Sequence, residues 1–242
     1  MKKPSANTLP PLSPKILAIE ASSNQLSTAV MVNGEVVAAR QRLAAHGHAV
    51  GIVPMSIETL EEAGMTFDMM THVAAGCGPG SFTGIRVTLA AAKGFCMAHQ
   101  AKGVGVSGLQ ALAYAAILVA PDTKMPCLAL ADTRRGPLYA QIFDTTAQPM
   151  GPIFEASIQQ LPHLIDTKIA GADLRIIGTD RIAVADELNM AGISATLPGI
   201  DEVPSASMVA RMAHEQIIKN QTGLLRPLYL ADPRLGPKKK LG

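Results

Sequence analysis

The apolar positions of this chain form short runs whose period changes along the sequence. Lys15 to Ala21 (KILAIEA) is a nearly continuous apolar run, as a buried strand requires, and Leu26 to Val32 is a second. Ser22, Ser23, Asn24 and Gln25 between them carry turn chemistry. Asn33-Gly34 follows, a dipeptide suited to the two positive-φ positions of a tight hairpin, and Glu35 to Arg42 reads as a third strand. The chain therefore opens as a three-stranded antiparallel meander. Val50, Val53, Ile57 and Leu60 then recur at helical spacing, which predicts a helix from about Val50 to Ala63. Pro54 either opens its regular part or kinks it, and Gly64 ends it. Thr71 to Cys77 is another apolar strand, followed by a glycine-rich loop and a helix reaching about His99.

The second half repeats this order. Pro126 to Asp132, Leu138 to Phe143 and Ile153 to Glu155 read as strands, Ser157 to Leu164 as a short helix, Leu174 to Gly178 as a strand and Asp180 to Ala191 as a helix. Leu109 to Val119 joins the halves, and Ser205 to Asn220 is a further amphipathic helix. Strands alternating with helices give an α/β layered class. The repeated unit is the plan of the duplicated, two-lobed, ribonuclease-H-like fold shared by actin-like (ASKHA) proteins. The expected organisation is a leader over 1–14, a first lobe over 15–108, a smaller second lobe over 109–232 and a basic tail over 233–242.

Composition narrows the function. Hydrophobic residues make up 48% and charged residues 17%, which excludes a disordered or fibrous chain. The net charge of +2 hides an asymmetry, because Lys2, Lys3, Lys238, Lys239 and Lys240 sit at the ends and leave an acidic body. That body lacks the basic footprint of a stand-alone nucleic-acid binder. With no Trp, three Tyr and five Phe, it also lacks a base-stacking platform. No apolar stretch is long enough to span a bilayer. Cys77, Cys96 and Cys127 are an odd number at wide spacing, which supports neither a zinc site nor a disulfide framework and suits the reducing cytoplasm.

The segment Gly76 to Gly84 (GCGPGSFTG) is the most informative. Four glycines between a strand and a helix permit positive φ and close approach of a backbone or a ligand. The helix start behind them offers free N–H groups and a positive dipole end. Gly78, Gly80 and Ser81 are thus phosphate candidates, with Ser22 and Ser23 of the first turn, where actin-like ATPases wrap their nucleotide. A purely structural turn is the alternative at both places, since neither a Walker A loop nor G-x-G-x-x-G is present. Glu20 and the serines suit a phosphate turn, but no glycine stands at its tip. His46 and His48 lie two apart and cannot share a metal as an i, i+4 pair can. No catalytic triad can be ordered among six scattered histidines, so no catalytic residue and no metal ligand is assigned. The helix Ile85 to Met97 carries only Arg86 and Lys93 as charges and is apolar on more than one side. Its second apolar face must be covered by the helix Val50 to Ala63 or by another chain.

Four stretches resemble the bacterial TsaB (YeaZ) family: ILAIEASSNQLSTAVMVNGEVVA from Ile16, the His48-to-Pro54 helix start with LEEAG at Leu60 to Gly64, GCGPGSFTGIRVTLAAAKG from Gly76, and ADTRRGPLYAQIF from Ala131. RPLYL at Arg226 also fits. The resemblance implies a non-catalytic subunit that binds and activates a TsaD-type threonylcarbamoyltransferase. It acts with a TsaE-type ATPase, in making N6-threonylcarbamoyladenosine at position 37 of ANN-decoding tRNAs. It further implies a homodimer when the partner is missing, tRNA contact only through the complex, and ATP or ADP, if any, at the partner junction. The family's interface helices map to Val50–Ala63 and Ile85–Met97, with Val50, Val53, Ile57, Leu60, Ile85, Leu89, Ala91 and Lys93 as interface candidates. The catalytic paralogue carries a metal-binding histidine pair on one helix, whereas here Ile52 stands four residues after His48. Two other readings of the fold are an active ATP-binding enzyme and a peptidase-like protein. The first needs a nucleotide cleft and the second an identifiable nucleophile or metal set.

Overall fold

The computed structural model describes residues 13–43, 48–121, 124–169, 171–200 and 203–228. Most of the expected leader, the His46-Gly47 helix entry, Tyr229, Leu230 and the basic tail lie outside the described residues.

The first half runs β1 (Lys15–Glu20), β2 (Gln25–Val32), β3 (Glu35–Leu43), α1 (His48–Glu62), β4 (His72–Gly76), α2 (Phe82–His99) and β5 (Lys102–Val106). Its sheet has the order β3-β2-β1-β4-β5, with β1, β2 and β3 antiparallel neighbours and β4 and β5 parallel to β1. Asn33 and Gly34 take positive φ, 54° and 83°, in the β2–β3 hairpin. After α3 (Gly108–Val119), the second half runs β6 (Cys127–Asp132), β7 (Leu138–Phe143), β8 (Phe154–Ala156), α4 (Leu161–Ile169), β9 (Leu174–Gly178), α5 (Arg181–Met190) and β10 (Ala195–Thr196). Its sheet order, β10-β9-β6-β7-β8, is the first order repeated strand for strand. The expected duplication is therefore present, and each unit ends in a fifth strand that sequence periodicity did not reveal. In β5 the cause is composition, because a strand reading Lys-Gly-Val-Gly-Val carries no alternation. Its glycines make room for a neighbour: a Cβ at Gly105 would strike the Leu224 carbonyl oxygen, and one at Gly103 would meet the Leu225 side chain.

The strands are apolar on both sides because both sides are covered. Ile16 and Ala18 of β1 face a central cluster with α3 and α6 (Ala206–Ile218), whereas Leu17 and Ile19 face α1 and α2. In β6, Cys127 and Ala129 face the central cluster, and Leu128 and Leu130 face α4 and α5. α3 and α6 thus fill the space between the two sheets. α6 follows the second unit in sequence yet packs on β1 and β2 of the first sheet. The buried guanidinium of Arg175 in β9 donates to the carbonyls of Ala116 (2.9 Å) and Ala120 (3.1 Å), satisfying the C-terminus of α3.

α1 starts at His48 and contains Pro54 without ending there. Proline removes the bond to the Val50 carbonyl, and Val50 lies on the exposed side, where water can replace it. Gly51, which on propensity alone should loosen the first turn, is required by packing. A Cβ there would collide with the Arg42 side chain and with Leu26 Cδ2 at 2.9 Å. Past α6 the chain returns along β5. Gly223 bridges Gly105, the Leu228 N–H donates to the Cys77 carbonyl (3.0 Å), and Leu225 and Leu228 pack against the core beneath α2.

Candidate functional site

Two regions could act on something outside the chain. The first is a cleft of about 460 Å³ where the two units meet. It is lined by the β1–β2 turn (Ser22, Ser23, Asn24), by Pro79 and Gly80, by the end of β6 with Asp132, by Arg134, by Thr179 and Asp180 before α5, and by Val203 and Pro204 before α6. The fold thus brings Ser22, Ser23 and Gly80 together at one wall, while Gly78 and Ser81 do not line the cleft.

The polar groups of this wall mostly serve one another. The Ser81 N–H donates to the Ser22 carbonyl (2.7 Å), the Ser81 hydroxyl caps α2 by accepting from Gly84 N–H (3.2 Å), and the Ser23 hydroxyl accepts from Gln25 N–H (3.1 Å). A Cβ at Gly80 would strike the Ser22 backbone, and one at Gly84 would strike the Ala21 carbonyl oxygen. These glycines are thus accounted for by two turns pressed together. On the far side, Asp132 accepts from the Arg134 N–H, whose φ is +58°.

Beneath the first turn lies a carboxyl that the sequence reading placed among phosphate-turn residues without anticipating its burial. Glu20 is fully buried; one oxygen accepts from the Ser22 N–H and the other has no partner. Burial raises its pKa, and the bonds from Ser22 and Ala21 oppose that shift only in part. Gly76 on the neighbouring strand is glycine because a Cβ there would occupy the place of the free oxygen. Among the described residues, no three His, Cys, Asp or Glu side chains are placed to hold a metal.

The second region is the outer side of α1 and α2. Val50 (81% exposed), Val53 and Ile57 face solvent from α1, and Phe82 and Met97 (85% exposed) from α2. Ala90, Lys93 and Gly94 lie exposed between the last two. The remaining interface candidates fall elsewhere. Leu60 (2% exposed), Ile85 and Leu89 (3% exposed) are inside the core, and Ala91 is half-buried. This placement has a simple cause. α2 is apolar on more than one side, and hydrophobic spacing cannot say which side meets the sheet; on α1, Leu60 stands at the edge of the face that carries Val50, Val53 and Ile57 and turns to the core. Phe82 and Met97 were missed because they lie at the limits of α2, the first read as loop. Arg86 stacks over the Phe82 ring at 3.6 Å. Glu58, Glu61 and Glu62 flank the face on α1.

Residues 33–158 match the family model described as "TsaD: tRNA N6-adenosine threonylcarbamoyltransferase". That is more than half of the chain. The chain belongs to the TsaD/TsaB (YeaZ) family. The tRNA threonylcarbamoyladenosine biosynthesis protein TsaB of Escherichia coli K12 is 33% identical over 125 residues, 52% of this chain and 53% of that protein. The chain thus spans about half the length of this curated relative. YeaZ from Pseudomonas aeruginosa superposes with a TM-score of 0.74 at 22% identity, over 90% of this chain and all of that one. The activator of 2-hydroxyisocaproyl-CoA dehydratase from Clostridium difficile, with bound ADPNP, gives a TM-score of 0.51 at 11% identity over 86% and 97% of the two chains. These likenesses establish the two-lobed, actin-like α/β fold. In this member of the TsaD/TsaB family, no helix among the described residues is long and apolar enough to cross a membrane.

Proposed function

We propose that this chain is an accessory subunit of the machinery that makes N6-threonylcarbamoyladenosine in tRNA. It pairs with a TsaD-type transferase in the cytoplasm and supplies no catalytic group of its own. The observation that carries this reading is the exposed apolar face of α1 and α2, on a chain whose family includes that transferase. Val50, Val53, Ile57, Phe82 and Met97 form its apolar part, and Ala90 and Gly94 let a partner helix come close. A similar face on a paralogous partner explains why the chain would pair with itself when the partner is absent. A TsaE-type ATPase joins the pair rather than this chain alone, tRNA is met through the complex, and ATP or ADP sits at the junction.

The cleft supports this assignment in a second way. Ser22, Ser23, Gly78, Gly80 and Ser81 remain the groups nearest any phosphate, yet the bonds described above leave them little to offer an anion. Size exclusion of a mixture with the cognate TsaD, at micromolar concentration, is expected to give a shared earlier peak. Addition of the chain to TsaD and TsaE should raise threonylcarbamoylation of an ANN-decoding tRNA. Separate elution together with unchanged modification would refute the proposal. ATP turnover by the isolated chain would favour the ATP-binding enzyme instead.

A further inference from the structure

Four strands stand at sheet edges, and three of them are short or covered. β10 has two residues and β8 three, and the outer side of β5 is met by Gly223. β3 runs for nine residues. Among the described residues, nothing bonds its backbone on the side away from β2. Its first part is blunted by a bulge: Met31 pairs with Val36 and Val30 with Ala38, which leaves Val37 as an extra residue. From Ala38 to Leu43 the ladder is regular, every residue after Ala38 is exposed, and there is no proline. Alternate N–H and C=O groups of this stretch face outward, the template that an added strand uses.

Both faces beside this edge are hollow. On the α1 side a concavity of about 620 Å³ is lined by Arg40, Arg42, Met55, Glu58 and Glu62. On the α6 side lies a groove of about 700 Å³ with Leu118, Val119, Ile200 and Met208 in its lining, and with Gln41 and Arg211 among its polar members. Successive side chains of an added strand point to opposite faces, so they would enter the two hollows in turn. The charges differ between the faces. Arg40 is held by Glu58 (3.4 Å) and Glu62 (3.0 Å) of α1. Arg42, beside Gly51, is in no ion pair among the described residues, and neither is Arg211. A second copy of the chain suits the edge poorly. The antiparallel registers that pair most of this stretch with its copy, and keep the two faces matched, put Arg40 opposite Arg40 or opposite Arg42. Like charges directly opposite one another are destabilising.

We propose that β3, from Ala38 to Leu43, receives an extended segment of a partner protein as a further strand of the sheet, with an acidic side chain over Arg42 and apolar side chains on either side of it turned into the α6 groove. Main-chain bonds supply the affinity, and the alternation of acid and apolar groups supplies the selectivity. This goes beyond the pairing of α1 and α2 with TsaD and does not rest on it.

The test uses the full chain and the fluorescein-labelled peptide Ser-Thr-Val-Glu-Val-Thr-Ser, read by fluorescence polarisation. Saturable binding with a Kd of about 100 μM or tighter is expected. Changing the peptide's glutamate to lysine should weaken it roughly five- to tenfold, and Arg42→Glu should weaken the original peptide as much. The lysine peptide should regain its affinity on Arg42→Glu, which a merely structural effect of that substitution would not produce. Leu118→Glu, in the groove, should also weaken binding; if that chain fails to fold, the charge swap at exposed Arg42 decides. N-methylation separates strand pairing from adhesion through side chains. Only alternate peptide N–H groups face β3, so methylating the glutamate nitrogen and methylating both valine nitrogens should differ by roughly tenfold in effect. Equal effects of the two methylations, affinity indifferent to Arg42, or no saturable binding overturns the proposal. Self-association that Arg42→Glu alters and the peptide displaces would give the edge to a second copy and overturn it as well.

Discussion

Glu20→Gln isolates the buried carboxyl beneath the first turn. In the folded chain, burial raises the pKa of Glu20, whereas in the unfolded chain it titrates near the ordinary carboxyl value of 4.5. The sign follows from linkage. Below that unfolded value both states hold the proton and stability is greatest. As pH rises, the unfolded chain releases a proton that the folded chain keeps, so stability falls until the folded pKa is passed. The slope is about 1.4 kcal/mol per pH unit within that window. Glutamine retains an acceptor for the Ser22 N–H and has no proton to lose. Its amide hydrogens lack a partner where the free oxygen now lies, which adds a constant cost of about 1–3 kcal/mol and does not change the slope. Urea unfolding of both chains from pH 5 to pH 8 is the assay. The difference in unfolding free energy should move in favour of Glu20→Gln as pH rises. Using the difference cancels other titrations, including that of His72, whose pKa burial lowers. Parallel curves would mean that the folded carboxyl ionises as easily as the unfolded one, and the account of this turn would be wrong.

Three further outcomes follow from side chains already placed. Val53→Glu or Met97→Glu should leave the isolated chain within about 0.5 kcal/mol of its stability, because both positions are exposed. Each should weaken pairing with TsaD about 100-fold in a titration by burying an unpaired charge; Leu89→Glu should instead unfold the chain, read by circular dichroism. Gly84→Ala should cost about 1–3 kcal/mol through collision with the Ala21 carbonyl, while Gly94→Ala, where a Cβ meets open space, should gain about 0.5–1 kcal/mol, both by thermal melts. Arg175→Met removes the guanidinium that donates to the buried Ala116 carbonyl at the end of α3, at about 1–3 kcal/mol, so the melting temperature should fall by several degrees.

The sheets and helices were legible because their causes are local. The apolar runs of β1, β2, β4 and β6 are continuous, the Asn33-Gly34 turn has one favoured geometry, and α3 and α6 are periodic. What could not be read was contact between distant segments. β5 pairs with β4, and its glycines make sense only once Leu224 and Leu225 return beside Gly103 and Gly105, more than a hundred residues later in the chain. Arg175 looks like a surface residue of β9 until α3 is packed against that strand. On α2 the sequence showed that more than one side is apolar, and the sheet then took Ile85 and Leu89 into the core; on α1 it also took Leu60, which the spacing groups with Val50, Val53 and Ile57. Of the interface candidates this leaves Val50, Val53, Ile57 and Lys93 outside, with Ala91 at the edge.

The glycine-rich loop gains a different meaning from its contacts. A phosphate cradle needs backbone N–H groups that point into open space. Here the Ser81 N–H points at the Ser22 carbonyl, and Gly80 and Gly84 are glycine so that the first turn can press against them. Such a junction fixes where α2 begins. The other end of α2 is fixed too, by the His99–Asp68 pair and by the stacking of His99 on Phe67 at 5.1 Å. A helix pinned at both ends presents Phe82, Lys93, Gly94 and Met97 in one arrangement, so a partner that docks there has little backbone left to order. The glycines of the loop would then serve association, by holding a face rigid, rather than by touching a ligand. On that account Gly84→Ala should weaken pairing as well as stability, even in chains that remain folded at the temperature of the titration. Val50→Ala, which trims the face without moving α2, should weaken pairing alone.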